Sequence, residues 1–207
     1  LSTGLMFGVS AQRAVAENAD AQRQLENIRE ALLGFAIANG RLPCPAKPTL
    51  ANTELNAGQE DCAQEHGVVP WLMLGLPESD PWGNRFSYFA DSAFSRVVAV
   101  GALASFSLVS DGAADIKECF KNRSDGSACS NLAIALPAVV VSHGSKAAGA
   151  YQPSGNKLAD GTDDERENSD ADQTFIAHAP SESFDDLVTW IVPSILKSRM
   201  LAAGRLP

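Results

Sequence analysis

From residue 1 to residue 39 the chain carries an unbroken amphipathic pattern that runs into Gly40-Arg41-Leu42-Pro43-Cys44-Pro45, where a glycine and two prolines stop any helix. No other stretch constrains the fold as strongly. Small or apolar side chains recur three and four apart at Ala11, Ala14, Ala21, Leu25, Ile28, Leu32 and Phe35, a narrow stripe broken at Asn18. Arg13, Glu17, Arg23, Glu26 and Arg29 lie between them and belong in water. Such a helix is roughly 58 Å long at about 1.5 Å per residue, more than one small domain covers. Its ends differ. Large aliphatics gather in the C-terminal third, alanines and polar residues fill the middle, and Leu1, Leu5, Met6, Phe7 and Val9 crowd together with no charge before Arg13. The gradient predicts a rod docked at one end only. Residues 25–37 pack on the rest of the chain, and the N-terminal half projects towards a membrane or towards copies of itself. Leu1, Leu5, Ala14, Ala21, Leu25, Ile28 and Leu32 are then the assembly face; an ordinary long core helix is the simpler alternative. The apolar start falls short of the roughly twenty residues that span a bilayer. Either the chain is complete or a spanning segment precedes Leu1, and the lack of an initiating Met and of a charged leader favours the second.

Composition limits the remainder. With 207 residues and 45% hydrophobic content the chain can bury a core, and a helical handle (residues 1–40) on one globular unit (residues 41–207) is the economical division. A net charge of -9 without a basic patch argues against nucleic acid, whose phosphates need clustered Lys and Arg. The four cysteines form two sequence-local pairs, Cys44 with Cys62 and Cys119 with Cys129, each among turn residues. Neither pair has Cys-x-x-Cys spacing, and His66, His143 and His178 are scattered, so a zinc site is disfavoured. Two loop-closing disulfides, each contributing about 3 kcal/mol in the chain-entropy estimate, place the protein in an oxidising compartment. The alternative is four unconnected thiols in a cytosolic protein.

Residues 41–67 read as a long loop stapled by the first cysteine pair. An apolar patch at residues 68–76 leads to the tight turn Asp80-Pro81-Trp82-Gly83. Strands are expected at residues 85–90, 94–100 and, as a continuation or a third strand, 105–109. A polar excursion follows at 111–130, then a buried β-branched strand at 132–142 in which Pro137 implies an edge or a bulge. Residues 143–172 read as loop, 174–178 and 187–192 as strands, and 194–203 as a terminal helix ended by Gly204. Helix first and antiparallel strands after make the chain α+β: a long N-terminal helix packed on an antiparallel sheet, with disulfide-closed loops and a short C-terminal helix.

The sequence from Leu33 through Gly40-Arg41-Leu42-Pro43-Cys44-Pro45, then Val69-Pro70-Trp71, Leu74-Gly75-Leu76 and the Asp80-Pro81-Trp82-Gly83-Asn84 turn before Tyr88 resembles type IV pilins and type II secretion pseudopilins. These motifs cover about the first 90 residues; Val141-Ser142-His143-Gly144 and the late Asp170-x-Asp172 add a weaker likeness. The resemblance implies a spine helix whose first half is buried in a filament or membrane, and partners that are other pilin or pseudopilin subunits. It places the chain at the inner membrane and periplasm before assembly, and in a periplasmic or cell-surface filament afterwards. Mature family members start with Phe and carry Glu at the fifth position; Leu1 and Leu5 stand here, so the chain is read as trimmed of the first helical half. Major pseudopilins also hold calcium with an aspartate after the Ser-x-Gly turn. The corresponding residue here is Lys146, whose ammonium opposes a cation and is expected to pair with Asp170 or Asp172 instead.

Of the chemistry candidates, the acidic run from Asp160 to Asp172 offers oxygen ligands for calcium, with Glu167, Asp170 and Asp172 the candidates, yet it lacks an EF-hand's spacing and reads equally as a solvated loop. Ser142 and His143 end a buried strand but are adjacent, so they point to opposite faces and cannot readily pair for catalysis. Trp71, Trp82 and Trp190 read as packing before they read as a sugar platform, and Phe184-Asp185-Asp186-Leu187 as an exposed turn. The function expected is a structural subunit, minor or specialised, of a pilus or pseudopilus, with no catalytic residue. A ligand-binding tip pilin is the alternative, and a periplasmic hydrolase using His143 a weaker one.

Overall fold

The computed structural model describes residues 3–118 and 129–206, with side chains from residue 11 onward apart from that of Asp163. Helix α1 (Thr3–Asn39) stops at Gly40, which turns the chain with φ 72°. A Cβ there would lie 2.3 Å from the Leu103 carbonyl oxygen, so only glycine lets the two segments approach. Along α1 the side chains of residues 11–20 are exposed or half-buried, whereas Ala21, Leu25, Ile28, Leu32, Leu33 and Ala36 are buried. The expected docking at one end is therefore what the fold has. No described helix is long and apolar enough to cross a membrane.

Two sheets lie behind the helix. Strands β1 (His66–Val68), β2 (Ser87–Ala90), β5 (Ala138–Ser142) and β7 (Leu187–Ile191) form an antiparallel sheet in the order β1-β2-β5-β7. Strands β3 (Ala114–Glu118), β4 (Ser130–Leu136) and β6 (Thr174–Ile176) form the second, in the order β4-β3-β6. Because successive strand residues face opposite ways, the first sheet is covered on both sides. Tyr88, Ala90, Ala138, Val140 and Ile191 pack with Leu25, Ile28, Leu32 and Leu33 of α1, while Phe89, Val139 and Val141 pack with Ile116, Leu136 and Phe175 of the second sheet. All of β5 is buried, which explains its continuous apolar sequence. Helix α5 (Pro193–Ala202) closes the α1 side with Leu196 and Met200, and Arg205 beyond it donates to the carbonyls of Ile37 and Ala38 at 2.9 and 2.6 Å, capping acceptors that the end of α1 leaves unpaired.

Four expectations change. The run at 132–142 is two strands, because Pro137 cannot donate to a ladder and the chain leaves one sheet for the other there. Residues 94–100 are not a strand: Asp91 caps the short helix α3 (Ser92–Ser95) by accepting from the Ala93 amide at 2.7 Å, and no strand forms at 105–109. Val97 and Val100 are exposed, so a β-branched run without a neighbouring strand stays irregular. The polar excursion at 111–130 contains β3, and β3 pairs with β6 in parallel, the one such pair among the described strands. Short helix α2 (Trp71–Leu74) forms in the apolar patch, to which the sequence assigns no element, and α4 (Asp163–Glu167) interrupts the segment read as loop. Otherwise the α+β architecture expected from the sequence stands.

The Cys44–Cys62 disulfide forms, with Cα atoms 5.0 Å apart. Arg41 and Glu60 bridge the same loop at 2.6 Å, and Glu60 also accepts from the Cys44 amide. Cys129 is disulfide-bonded as well; Cys119 lies outside the described residues.

Candidate functional site

Two regions carry functional potential, the uncovered half of α1 and a buried polar cluster at the far end of the first sheet. On the helix, the residues expected to form an assembly face separate cleanly. Ala21, Leu25, Ile28 and Leu32 are buried in the chain's own core, whereas Ala14 is exposed and Val15 beside it is 70% exposed. Leu1, and the side chain of Leu5, lie outside the described residues. The exposed part carries Arg13–Glu17 and Arg23–Asp20 ion pairs at 2.7 and 2.8 Å, spacings that suit neighbouring turns and stabilise the helix only slightly.

The polar cluster begins at the Asp-Pro-Trp-Gly turn. Asp80 Oδ1 accepts from the amides of Trp82 and Asn84, both at 3.0 Å, and Asp80 Oδ2 accepts from Ser142 Oγ at 2.8 Å. Pro81 presets the turn and Gly83 completes it with φ 84°. Burial nonetheless holds the Asp80 carboxyl above its usual range against these hydrogen bonds. The motif is thus a clamp between the turn and the end of β5. Beside it Arg85, fully buried, donates to Glu78 at 2.7 Å and to the carbonyls of Pro48, Leu50 and Pro153, with its guanidinium 4.7 Å from the Trp71 ring centroid. Trp71 and Trp190 sit in different apolar clusters, so the tryptophans make no common platform.

His143 points away from Ser142, as adjacent strand residues must. Its Nε2 lies 2.8 Å from Ser87 Oγ, and its Nδ1 lies 3.8 Å from Asp186 Oδ1. Ser87 lines a cleft of about 280 Å³ with His66, Tyr151 and Ser169. The order Ser-His-Asp invites a catalytic reading that the chemistry does not support. The His–Asp separation exceeds a hydrogen bond. Burial, then Lys157, lowers His143 to about 4, too weak a base to take a serine proton near neutral pH. Burial also raises the Asp186 carboxyl well above its ordinary value, so the group that would orient the imidazole resists carrying charge. The trio pins the loop after β5 to β2.

Acidic residues close the cluster, though not those singled out in the sequence. Asp170 Oδ1 accepts from the Asp172 amide at 3.3 Å and Asp172 Oδ1 from the Thr174 amide at 2.6 Å, and among the described residues neither they nor Glu167 join a convergent set of possible ligands. Glu165, Asp185 and Asp186 do, with one oxygen of each within 4.8 Å of the others. Asp185-Asp186 is therefore not an exposed turn: Asp186 is buried, its Oδ2 accepting from Asn168 Nδ2 at 2.8 Å. Lys146 does not make the pair with Asp170 or Asp172 that the resemblance led one to expect but pairs with Glu165 at 3.2 Å, because α4 carries Glu165 back over the Ser145-Lys146 turn. Calcium, which the pilin resemblance implies, takes roughly six to eight oxygens. The residues present do not fit it: an ammonium already holds Glu165, Ser145 Oγ and the Lys146 amide occupy Asp185 Oδ2, and Asn168 occupies Asp186 Oδ2. Arg85, Ser87, Glu165 and Asn168 carry no sequence signal of their own, since each matters through a partner distant along the chain.

The family model for the type II secretion system (T2SS), protein G, matches residues 8–119, a span running from α1 through β3. No curated protein and no solved structure matches the chain. With more than half of its 207 residues inside that match, the chain belongs to the type II secretion system protein G family of pseudopilins.

Proposed function

We propose that this protein is a specialised structural subunit that enters the type II secretion pseudopilus through the uncovered half of α1. The observation that carries the reading is the change at Ala21: beyond it α1 faces its own core, and before it Val15 and the alanine-rich face around it have no covering surface among the described residues. Apolar area left in water favours association by about 25 cal/mol per Å² once covered, and a second rod of the same kind is the cover that a filament-forming family provides. In this reading the subunit waits in the inner membrane with its sheets in the periplasm, and moves into the filament when neighbours replace lipid. Its two long loops, residues 41–67 and 143–172, are cross-braced by the disulfide, Arg85 and the polar cluster, which suits a component with an elaborated outer surface better than a plain shaft subunit. Catalysis forms no part of it, for His143 is a buried strut.

Val15→Asp tests this. In cells producing the full-length protein with its secretion machinery, the variant is expected to keep its thermal stability within about 1 kcal/mol, as exposed substitutions do, and to vanish from the sheared filament fraction. Filaments that incorporate Val15→Asp as well as the parent would overturn the assembly role of this face.

A further inference from the structure

The convergence of Glu165, Asp185 and Asp186 poses a charge problem within the fold. Glu165 and Asp186 are each 3% exposed, and Asp185 Oδ1 and Asp186 Oδ1 are buried with no hydrogen-bond partner among the described residues. Carboxyl groups so placed disfavour one another's charge, which with burial is why Asp186 resists ionising, and whatever charge the set does carry calls for a cation. The surrounding backbone is shaped to keep them there. Gly144, at φ +59°, lies so near Asp185 that a Cβ would sit 2.5 Å from its Cγ, and a Cβ on Gly161 would sit 2.2 Å from Glu165 Oε2. Lys146 reaches the set, and it is tied in at both ends: its amide donates to Asp185 Oδ2 at 3.0 Å and its ammonium to Glu165 Oε1 at 3.2 Å.

We propose that the Lys146 ammonium is the resident cation of this cluster, standing where a divalent ion would otherwise neutralise the carboxylates, so that the loop from β5 to β7 is held together without metal. The family resemblance leads one to expect a bound ion here, and the disagreement is specific. A lysine supplies one charge and needs no dehydration of an ion, and it is covalently present at every concentration of free calcium. The cost is that Asp185 Oδ1 and Asp186 Oδ1 keep no hydrogen-bond partner among the described residues. Because the Lys146 side chain is 36% exposed, the ammonium sits at the mouth of the cluster, and withdrawing it opens a path from solvent to three oxygens already gathered. The cluster is thus a latent hard-cation site closed by one side chain.

Thermal melts of the full chain, in EDTA and in millimolar calcium, test the proposal with three proteins. The parent is expected to melt at the same temperature in both. Lys146→Asp and Lys146→Met are expected to melt lower than the parent in EDTA, and calcium is expected to raise the melting temperature of Lys146→Asp by about 5 °C or more, as ligand binding to the native state alone would. Titration calorimetry of Lys146→Asp with calcium chloride should show binding that the parent lacks. A parent that melts lower in EDTA than in calcium would overturn the proposal, since the site would then be a metal site despite the lysine. A Lys146→Met protein as stable as the parent in EDTA would overturn it equally, because the ammonium would be neutralising nothing. Should Lys146→Asp not fold without calcium, its refolding on adding calcium supports the proposal, and failure to refold counts against it.

Discussion

The rod and the long loop are both fastened to the first sheet, one by hydrocarbon and the other by hydrogen bonds. Under α1 the contacts are Leu25, Ile28, Leu32, Tyr88, Val140 and Ile191, which are non-directional and interchangeable. At the far end of that sheet Ser87–His143, Ser142–Asp80 and Asn168–Asp186 each require one donor at one angle. The difference teaches which attachment can be repeated. In the proposed assembly, the exposed stretch of the rod before Ala21 accepts another copy's without redesign. A polar seam is finished when its partners are satisfied, and it stays within the subunit.

The largest expected effect breaks the polar fastening. Arg85→Ala removes a fully buried guanidinium and leaves three carbonyls and Glu78 without their donor, so urea unfolding should show a loss of about 4 kcal/mol, with Arg85→Lys recovering only part because an ammonium cannot reproduce the fork. On the hydrocarbon side, Leu32→Ala should cost about 3 kcal/mol in the same measurement, without altering the pH dependence. That pH dependence is the third and smallest effect. His143 is held down to about 4, by burial first and then by Lys157. The unfolded chain, with His near 6.5, binds a proton that the native state refuses, so stability present above that value is lost as pH falls towards about 4. The loss should be about 2 kcal/mol between pH 7 and pH 5. Asp186, raised by burial, works in the opposite direction, so the measurement compares the parent with His143→Gln. Equal pH profiles for the two proteins would show that His143 is not the group responsible.

The same contrast separates what could be read in the chain from what could not. The docked end of α1, the first disulfide, the Asp-Pro-Trp-Gly turn, the buried β5 and the terminal helix follow from periodicity, cysteine spacing and turn chemistry, all of which are local. Val97 to Val100 misled because β propensity has meaning only beside a partner strand, and none lies there. The strand β3 was hidden in a polar stretch, since only Ala114 and Ile116 face inward. At the site, Ser142 and His143 could be assigned to opposite faces from strand geometry, but their partners Asp80 and Ser87 lie 62 and 56 residues away. Glu165 was one acid among many until α4 brought it to Lys146.

Pro137 has a mechanical consequence. It joins the last residue of β4 to the first of β5, so tension applied to the outer sheet arrives at a strand laddered on both sides, to β2 and to β7. Such a strand must shear two rows of bonds at once before it yields. Any load on the second sheet would thus reach the strand that lies against the rod's own footing before it reached the edge strands β1 and β7.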